Sequence, residues 1–189
     1  MNILKMIITN GFQIILNPFL IIIIQIGIGL GKGLNIIQND ARKIPLGDNF
    51  VDFVFIDSPY SDNVKYSDHP DCIGKISCEK ENFFEELEKV AKEIYRILKD
   101  GKYMAWLIGD HWRKNTGYIP VGFKVYNMLA NLFNPIDVIC VGRRNQTSNT
   151  GLWHKRAREF NFYLRGFKYL FIMQKKRVRR NHETTSYRN

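Results

Sequence analysis

Residues 51–60 read Val-Asp-Phe-Val-Phe-Ile-Asp-Ser-Pro-Tyr. The first six form a nearly continuous apolar run, the pattern of a central strand buried on both faces of a parallel sheet. A carboxylate, a hydroxyl, a proline and a phenol follow at once. In open α/β sheets ligands sit beyond the carboxyl ends of the strands, so Asp57-Ser58-Pro59-Tyr60 falls where chemistry is expected.

The flanking sequence extends this pattern in both directions. Upstream, Leu34–Gln38 predicts a short strand and Asn39-Asp40-Ala41-Arg42 a turn, which puts Asp40 near a second strand end. Downstream, residues 58–78 form a polar loop, and Glu79–Leu98 predicts a helix. In that helix Phe83, Phe84, Leu87, Val90, Ala91, Ile94, Ile97 and Leu98 recur at three- and four-residue steps. Asp100-Gly101 is expected to end it, with Gly101 in the left-handed region. Tyr103–Ile108 reads as a strand, Val121–Leu132 as a helix and Ile136–Val141 as a strand. Asn161–Arg165 and Lys168–Met173 read as a hairpin joined at Gly166. This order implies an α/β fold with a mostly parallel sheet and an antiparallel C-terminal hairpin.

The first 32 residues differ from the rest. Met6 to Leu30 carries no charge, and Ile21–Ile24 is solidly apolar. By length the stretch qualifies as a membrane span, but Asn10, Gln13, Asn17, Pro18 and Gln25 interrupt it. The favoured reading is a damaged or abbreviated first βα unit. The expected organisation is therefore a degenerate segment at 1–32, a domain at 33–174 and a basic tail at 175–189.

Charge is distributed just as unevenly. Residues 1–141 hold 15 Lys/Arg and 16 Asp/Glu, a net of −1, while residues 142–189 hold 13 and 2, a net of +11. A concentrated basic surface attracts a polyanion by counterion release, and nucleic acid is the commonest such partner. Trp153, Phe160, Phe162, Tyr163, Phe167 and Tyr169 interleave with these cations, as suits unstacked bases, though they equally suit a strand core. The polar, basic segment 143–159 reads as a long loop and a candidate for target contact, against the alternative of a solvated insertion. The 3 Cys cannot form a disulfide framework without a leftover thiol, which favours a reducing, cytoplasmic setting. His69, Cys72 and Cys78 supply too few ligands for zinc, so no metal is expected. Asp110, at a strand end, is expected to cap a helix or order a loop.

The chemistry offered by residues 57–60 is specific. The Asp57 carboxylate and the Ser58 carbonyl are two acceptors, Pro59 stiffens the turn, and Tyr60 presents a flat face. Two acceptors beside a stacking platform fit an exocyclic amino group on a flat heterocycle. Holding both N–H groups favours a pyramidal, more nucleophilic nitrogen, so orientation and fixed dipoles can supply catalysis without a covalent enzyme intermediate.

Asp-Ser-Pro-Tyr after an apolar strand resembles the (Asp/Asn/Ser)-Pro-Pro-Tyr motif of the S-adenosylmethionine-dependent amino-methyltransferases, which modify adenine N6 or cytosine N4 in DNA. The likeness extends to Asn39-Asp40-Ala41-Arg42, Pro45 and Asp48-Asn49-Phe50-Val51-Asp52. It continues through Tyr95-Arg96-Ile97-Leu98-Lys99-Asp100-Gly101, Gly109-Asp110, and Asn161-Phe162-Tyr163-Leu164 to Phe171-Ile172-Met173. It implies a Rossmann-like methyltransferase sheet whose N-terminal part is truncated or degenerate. It also implies roles. Asp57, Ser58, Pro59 and Tyr60 would hold the target base. Asp40, with Ala41, would contact the adenine of S-adenosylmethionine. Lys and Arg between 142 and 180 would hold phosphates, Arg143, Arg144, Lys155, Arg156 and Arg158 foremost. The expected activity is site-specific DNA methylation of the restriction-modification kind, with adenine N6 favoured over cytosine N4. The alternatives are RNA amino-methylation and an inactive nucleic-acid-binding remnant.

Two departures stand out. Ser58 replaces a usual proline, which is expected to be tolerated because the group needed is a backbone carbonyl. The family's glycine-rich Asp-Pro-Phe-x-Gly-x-Gly loop is not intact: Asn17-Pro18-Phe19 echoes its start, Leu20-Ile21-Ile22-Ile23 follow, and Gly27, Gly29, Gly31 and Gly33 come later.

Overall fold

In the computed structural model the described residues are 12–17, 20–25, 35–37, 39–143 and 151–177. The strands are β1 (Phe12–Asn17), β2 (Leu20–Gln25), β3 (Asn35–Ile37), β4 (Val51–Asp57), β5 (Leu98–Ile108), β6 (His111–Arg113), β7 (Gly117–Ile119), β8 (Asn134–Gly142) and β9 (Phe167–Gln174). The helices are α1 (Glu81–Ile97), α2 (Val121–Leu132) and α3 (Gly151–Glu159), with a short 3₁₀ turn at Ile73–Lys75.

Seven strands form one sheet in the order β3-β1-β2-β4-β5-β9-β8, and β6 pairs with β7 separately. β1 runs parallel to β3 and β4 parallel to β5, while β2 and β9 run antiparallel to both of their neighbours. Five of the seven strands therefore point the same way, which is the mostly parallel sheet expected. The ends of β3, β4, β5 and β8 and the start of β9 share one edge. That edge gathers Asp40, Asp57, Asp110, Arg143 and Lys168.

The core forms because α1 turns one face inward. Phe83, Phe84, Leu87, Val90, Ala91, Ile94 and Ile97 are buried against Val51, Val54 and Ile56 of β4 and Met104, Trp106 and Ile108 of β5. Removing such side chains from water contributes about 1.5–3 kcal/mol each. Lys175, just past β9, is buried too. Its ammonium donates to Asn49 Oδ1 and to the Leu98 carbonyl, each at 2.7 Å, so the first residue of the expected tail is anchored in the domain.

Four local expectations are corrected. β1 and β2 pair antiparallel, with no helix between them in the described residues, in place of a βα unit. Ile-rich runs stiff at χ1 favour strand over helix. Gly101, at φ 72°, does not end α1. It sits inside β5, where the register slips between the Val51–Leu98 and Phe53–Tyr103 pairs. Asn161–Arg165 is no strand: Asn161, at φ 49°, terminates α3, and the Phe162 N–H donates back to the Ala157 carbonyl at 3.0 Å. β9 consequently pairs with β5 and β8 instead of forming a hairpin at Gly166. Finally, the supposed loop 143–159 contains α3. Among the described residues no helix is long and apolar enough to cross a membrane.

Candidate active site

β4 delivers Asp57 to the sheet edge with its side chain 38% exposed. The chain then turns inward. Ser58 is 3% exposed and Pro59 is buried, so the two residues after the carboxylate are held by the core. The Ser58 hydroxyl accepts a 2.9 Å hydrogen bond from the indole N–H of fully buried Trp106 on β5. A buried indole needs such an acceptor, and proline at 58 could not supply it. The departure from the usual proline thus brings its own restraint.

Tyr60 returns to the edge, half-buried. Its hydroxyl donates to Asp57 Oδ1 at 3.2 Å. Burial, then the charge and hydrogen bond of Asp57, push the phenol far above its ordinary pKa, so it stays protonated at physiological pH. Gly109, just past β5, borders the ring: a Cβ there would lie 3.6 Å from Tyr60, an ordinary contact. The Lys168 ammonium stands 3.7 Å from Asp57 Oδ1 and 4.8 Å from the centroid of the Tyr60 ring. Sequence reasoning placed Lys168 only among phosphate-holding cations. Its position follows from β9 entering antiparallel to β5, which sets Tyr169 opposite Ile108 and Lys168 beside Gly109.

The loop after Tyr60 is clamped to the β6–β7 hairpin. Arg113 pairs with Asp62 and with Glu79, and donates to Ser61 Oγ at 3.0 Å. Ser61 Oγ in turn accepts the Cys78 N–H. Asp110 behaves as expected of a cap: it accepts the Gly122 N–H at 2.9 Å near the start of α2, and the hydroxyls of Tyr118 and Tyr169 at 2.7 and 3.0 Å. Cys72 and Cys78 are buried while His69 is exposed. Among the described residues no three His, Cys, Asp or Glu side chains are grouped to hold a metal.

Asp40 follows β3 on the same edge. Three strand spacings of about 4.8 Å put the two strand ends roughly 14 Å apart. Its carboxylate is heavily engaged. Arg42 donates from its backbone N–H to Oδ1 at 2.9 Å, from Nε to both oxygens at 3.0 Å, and from Nη2 to Oδ2 at 2.8 Å. Arg42 is itself paired with Glu86. Burial raises the Asp40 carboxyl, but the bonds and charge of Arg42 outweigh it and hold the group below its ordinary range. Ala41 is fully buried in the core, backbone included.

The basic face is formed by α3, on which Lys155, Arg156 and Arg158 are all exposed. Arg143 is exposed at the end of β8, and Arg144 lies outside the described residues. Trp112 of β6 stacks on Phe162 at 4.2 Å and fixes the C-terminal end of α3 against the hairpin. Beside it lies an open groove of about 730 Å³ bordered by His154, Arg158, Asn161 and Tyr163, the last 90% exposed. The glycines at 27, 29, 31 and 33 lie outside the described residues.

A model of the DNA methylase family, the N6 and N4 methyltransferases, matches residues 51–189. Among curated proteins none matches. Among solved structures, a protein of Thermus thermophilus assigned as a DNA modification methylase is similar in two forms. One is 18% identical over 75% of this chain and 53% of that chain, with a TM-score of 0.51. The other, complexed with S-adenosyl-L-methionine, is 19% identical over 75% and 55%, also with a TM-score of 0.51. The chain thus spans about half the length of that protein, and the likeness is one of fold: the α/β sheet of S-adenosylmethionine-dependent methyltransferases.

Proposed function

Since this chain belongs to the DNA methylase family, whose pattern covers residues 51–189, we propose that it transfers a methyl group from S-adenosylmethionine to the exocyclic amino group of a DNA base. Adenine N6 is favoured over cytosine N4, because aspartate stands first in the motif. The observation that carries this reading is the strand-end group of Asp57 and Tyr60, both reachable at the edge of the sheet and joined by a 3.2 Å hydrogen bond.

In this reading residues 33–174 are the methyltransferase domain. Asp57 and the Ser58 carbonyl accept the two N–H groups of the target amine, Pro59 holds the turn, and Tyr60 stacks on the base. Stacking of this kind is worth about 1–3 kcal/mol. The target base leaves the duplex to reach the pocket, at a cost of a few kcal/mol. When bound, S-adenosylmethionine supplies an electrophilic methyl group. Asp57 and Ser58 direct the amino lone pair toward that methyl. The surplus proton left on the nitrogen lies on the bond to Asp57, whose exposure gives it a route to water. Asp40, with Ala41 beside it, would hold the cofactor's adenine. This placement suits the shared edge, provided Arg42 releases one of its contacts. Arg143, Arg144, Lys155, Arg156 and Arg158 would hold phosphates, and the setting is cytoplasmic.

One observation favours a second reading, a nucleic-acid-binding remnant without turnover: the Asp40 carboxylate has its lone pairs taken by Arg42. Transfer of tritium from labelled S-adenosylmethionine to DNA and to RNA separates the possibilities. Label in DNA is expected. Label in RNA alone would overturn the choice of acceptor. DNA binding without calorimetric cofactor binding would establish the remnant.

A further inference from the structure

The cradle formed by Asp57 and Tyr60 already contains an amine. The Lys168 ammonium lies 3.7 Å from Asp57 Oδ1 and over the Tyr60 ring at 4.8 Å. These are the two features by which the cradle would hold a base: an N–H donor facing the carboxylate, and a group above the aromatic face. The Lys168 side chain is 20% exposed, so it is tucked into the site and does not reach outward for phosphate. Its stem passes beside Gly109, 3.8 Å from where a Cβ would stand, and Gly109 in turn flanks Tyr60. The lysine is thus built into the wall of the site from a neighbouring strand. Arg143, which follows the adjacent strand β8, also places its charge near Tyr60.

We infer that Lys168 is an internal stand-in for the target amine: it occupies the base-binding cradle through Asp57 and Tyr60, and an entering nucleobase must displace it. This rests on the reading of Asp57 and Tyr60 as the cradle. A base with an exocyclic amino group gives Asp57 a hydrogen-bond donor in place of the ion pair that the lysine withdraws. A base without one leaves the carboxylate without that partner, which an active site penalises strongly. Occupation by the lysine lowers the apparent affinity for any base by the fraction of time the cradle is free.

The test uses the full chain and fluorescence anisotropy with two labelled single strands of equal length, oligo(dA) and an abasic strand. Single strands present bases without the cost of opening a duplex. The quantity read is the ratio of the two affinities, which removes the phosphate contribution. Lys168→Met is expected to raise that ratio about tenfold, the combined loss of one ion pair and one cation–π contact. Lys168→Arg, which keeps both, is expected to stay near wild type. Should the methionine variant fail to fold, Lys168→Gln carries the same expectation. Equal weakening on both strands would make Lys168 a phosphate anchor and overturn the inference, as would an unchanged ratio. Tyr60→Ala is the control for the cradle: it should bring the ratio down toward one. If Tyr60→Ala lowers the ratio and Lys168→Met does not raise it, the inference alone fails. If Tyr60→Ala leaves the ratio as it is, the cradle and the inference fall together.

Discussion

Asp57 and Asp40 stand on the same edge of one sheet, each near the end of a strand, and their surroundings differ in kind. Asp57 accepts a hydrogen bond from Tyr60 at 3.2 Å and faces a lysine at 3.7 Å, beyond hydrogen-bonding distance. Asp40 takes four hydrogen bonds from a single arginine, which is paired in turn with Glu86. A carboxylate has about four lone-pair directions. Asp57 therefore retains the capacity to receive a ligand, whereas Asp40 must exchange an existing partner to do so. The end of the site assigned to chemistry is held by one hydrogen bond and one displaceable ion pair, and the end assigned to the cofactor by four hydrogen bonds from the chain's own guanidinium. Affinity for the cofactor is the quantity this difference should limit.

The contrast meets its most severe test at Asp57. Asp57→Ala is expected to lower methyl transfer about a thousandfold, the scale seen when a preorganised polar group is removed from an active site. The half-open carboxylate contributes little to the fold, so the unfolding temperature should barely change. Labelled-methyl transfer and a thermal melt measure the two effects, and retained turnover would remove Asp57 from its role. Next in size, Ser58→Pro restores the family's usual residue but takes the acceptor from the buried Trp106 N–H. Leaving a buried donor unpaired costs about 1–3 kcal/mol, so urea unfolding should show a loss of that order. A neutral result would mean the indole finds another partner.

Asp40→Ala tests the other end. Wild-type binding of S-adenosylmethionine is expected to be weak by calorimetry, and the variant's roughly tenfold weaker, about the worth of one hydrogen bond to a charged group. Equal binding by both would mean that Asp40 does not face the cofactor.

The legibility of these two ends from sequence follows from the distance over which each contact acts. β4 and α1 were readable because their patterns are local: an unbroken apolar run, and apolar residues every third or fourth position. The grouping of Asp57 with Tyr60 at a strand end was readable because the two lie within four consecutive residues. Asp110 could be read as a cap because a short carboxylate at a strand end, ahead of a helix, has few other uses. Lys168 and Trp106 were not readable, since each meets the motif only through strand order, and nothing in the residues themselves says that β9 enters beside β5. α3 was hidden for a different reason. None of its residues is buried, so it lacks the apolar stripe by which helices are recognised, and its anchor is the Trp112–Phe162 stack beyond its end. The Asp100-Gly101 pair correctly signalled a left-handed residue but not its setting, a register slip within β5.

The smallest expected effect concerns acid, and it separates the two carboxylates most cleanly. Burial acts to raise the Asp40 carboxyl, but the bonds and charge of Arg42 hold it below its ordinary value. Glu86 is lowered against burial in the same way, by Lys89 and Arg42. A carboxylate depressed in the folded state stabilises the fold above its unfolded pKa and loses that contribution as pH falls through the folded value. Arg42→Gln removes the common partner. The difference in unfolding free energy between wild type and Arg42→Gln should therefore be greatest near neutrality and narrow as pH falls below about 5. It should remain well under the effect of Ser58→Pro, because the Asp40 side chain is 44% exposed and solvent screens the pair. Urea unfolding across that pH range measures it. A gap independent of pH would mean that Arg42 acts through its packing alone and leaves the Asp40 carboxylate no more engaged than that of Asp57. The same variant should then bind S-adenosylmethionine no better than wild type, whereas a guanidinium that competes for Asp40 predicts a gain in affinity when it is removed.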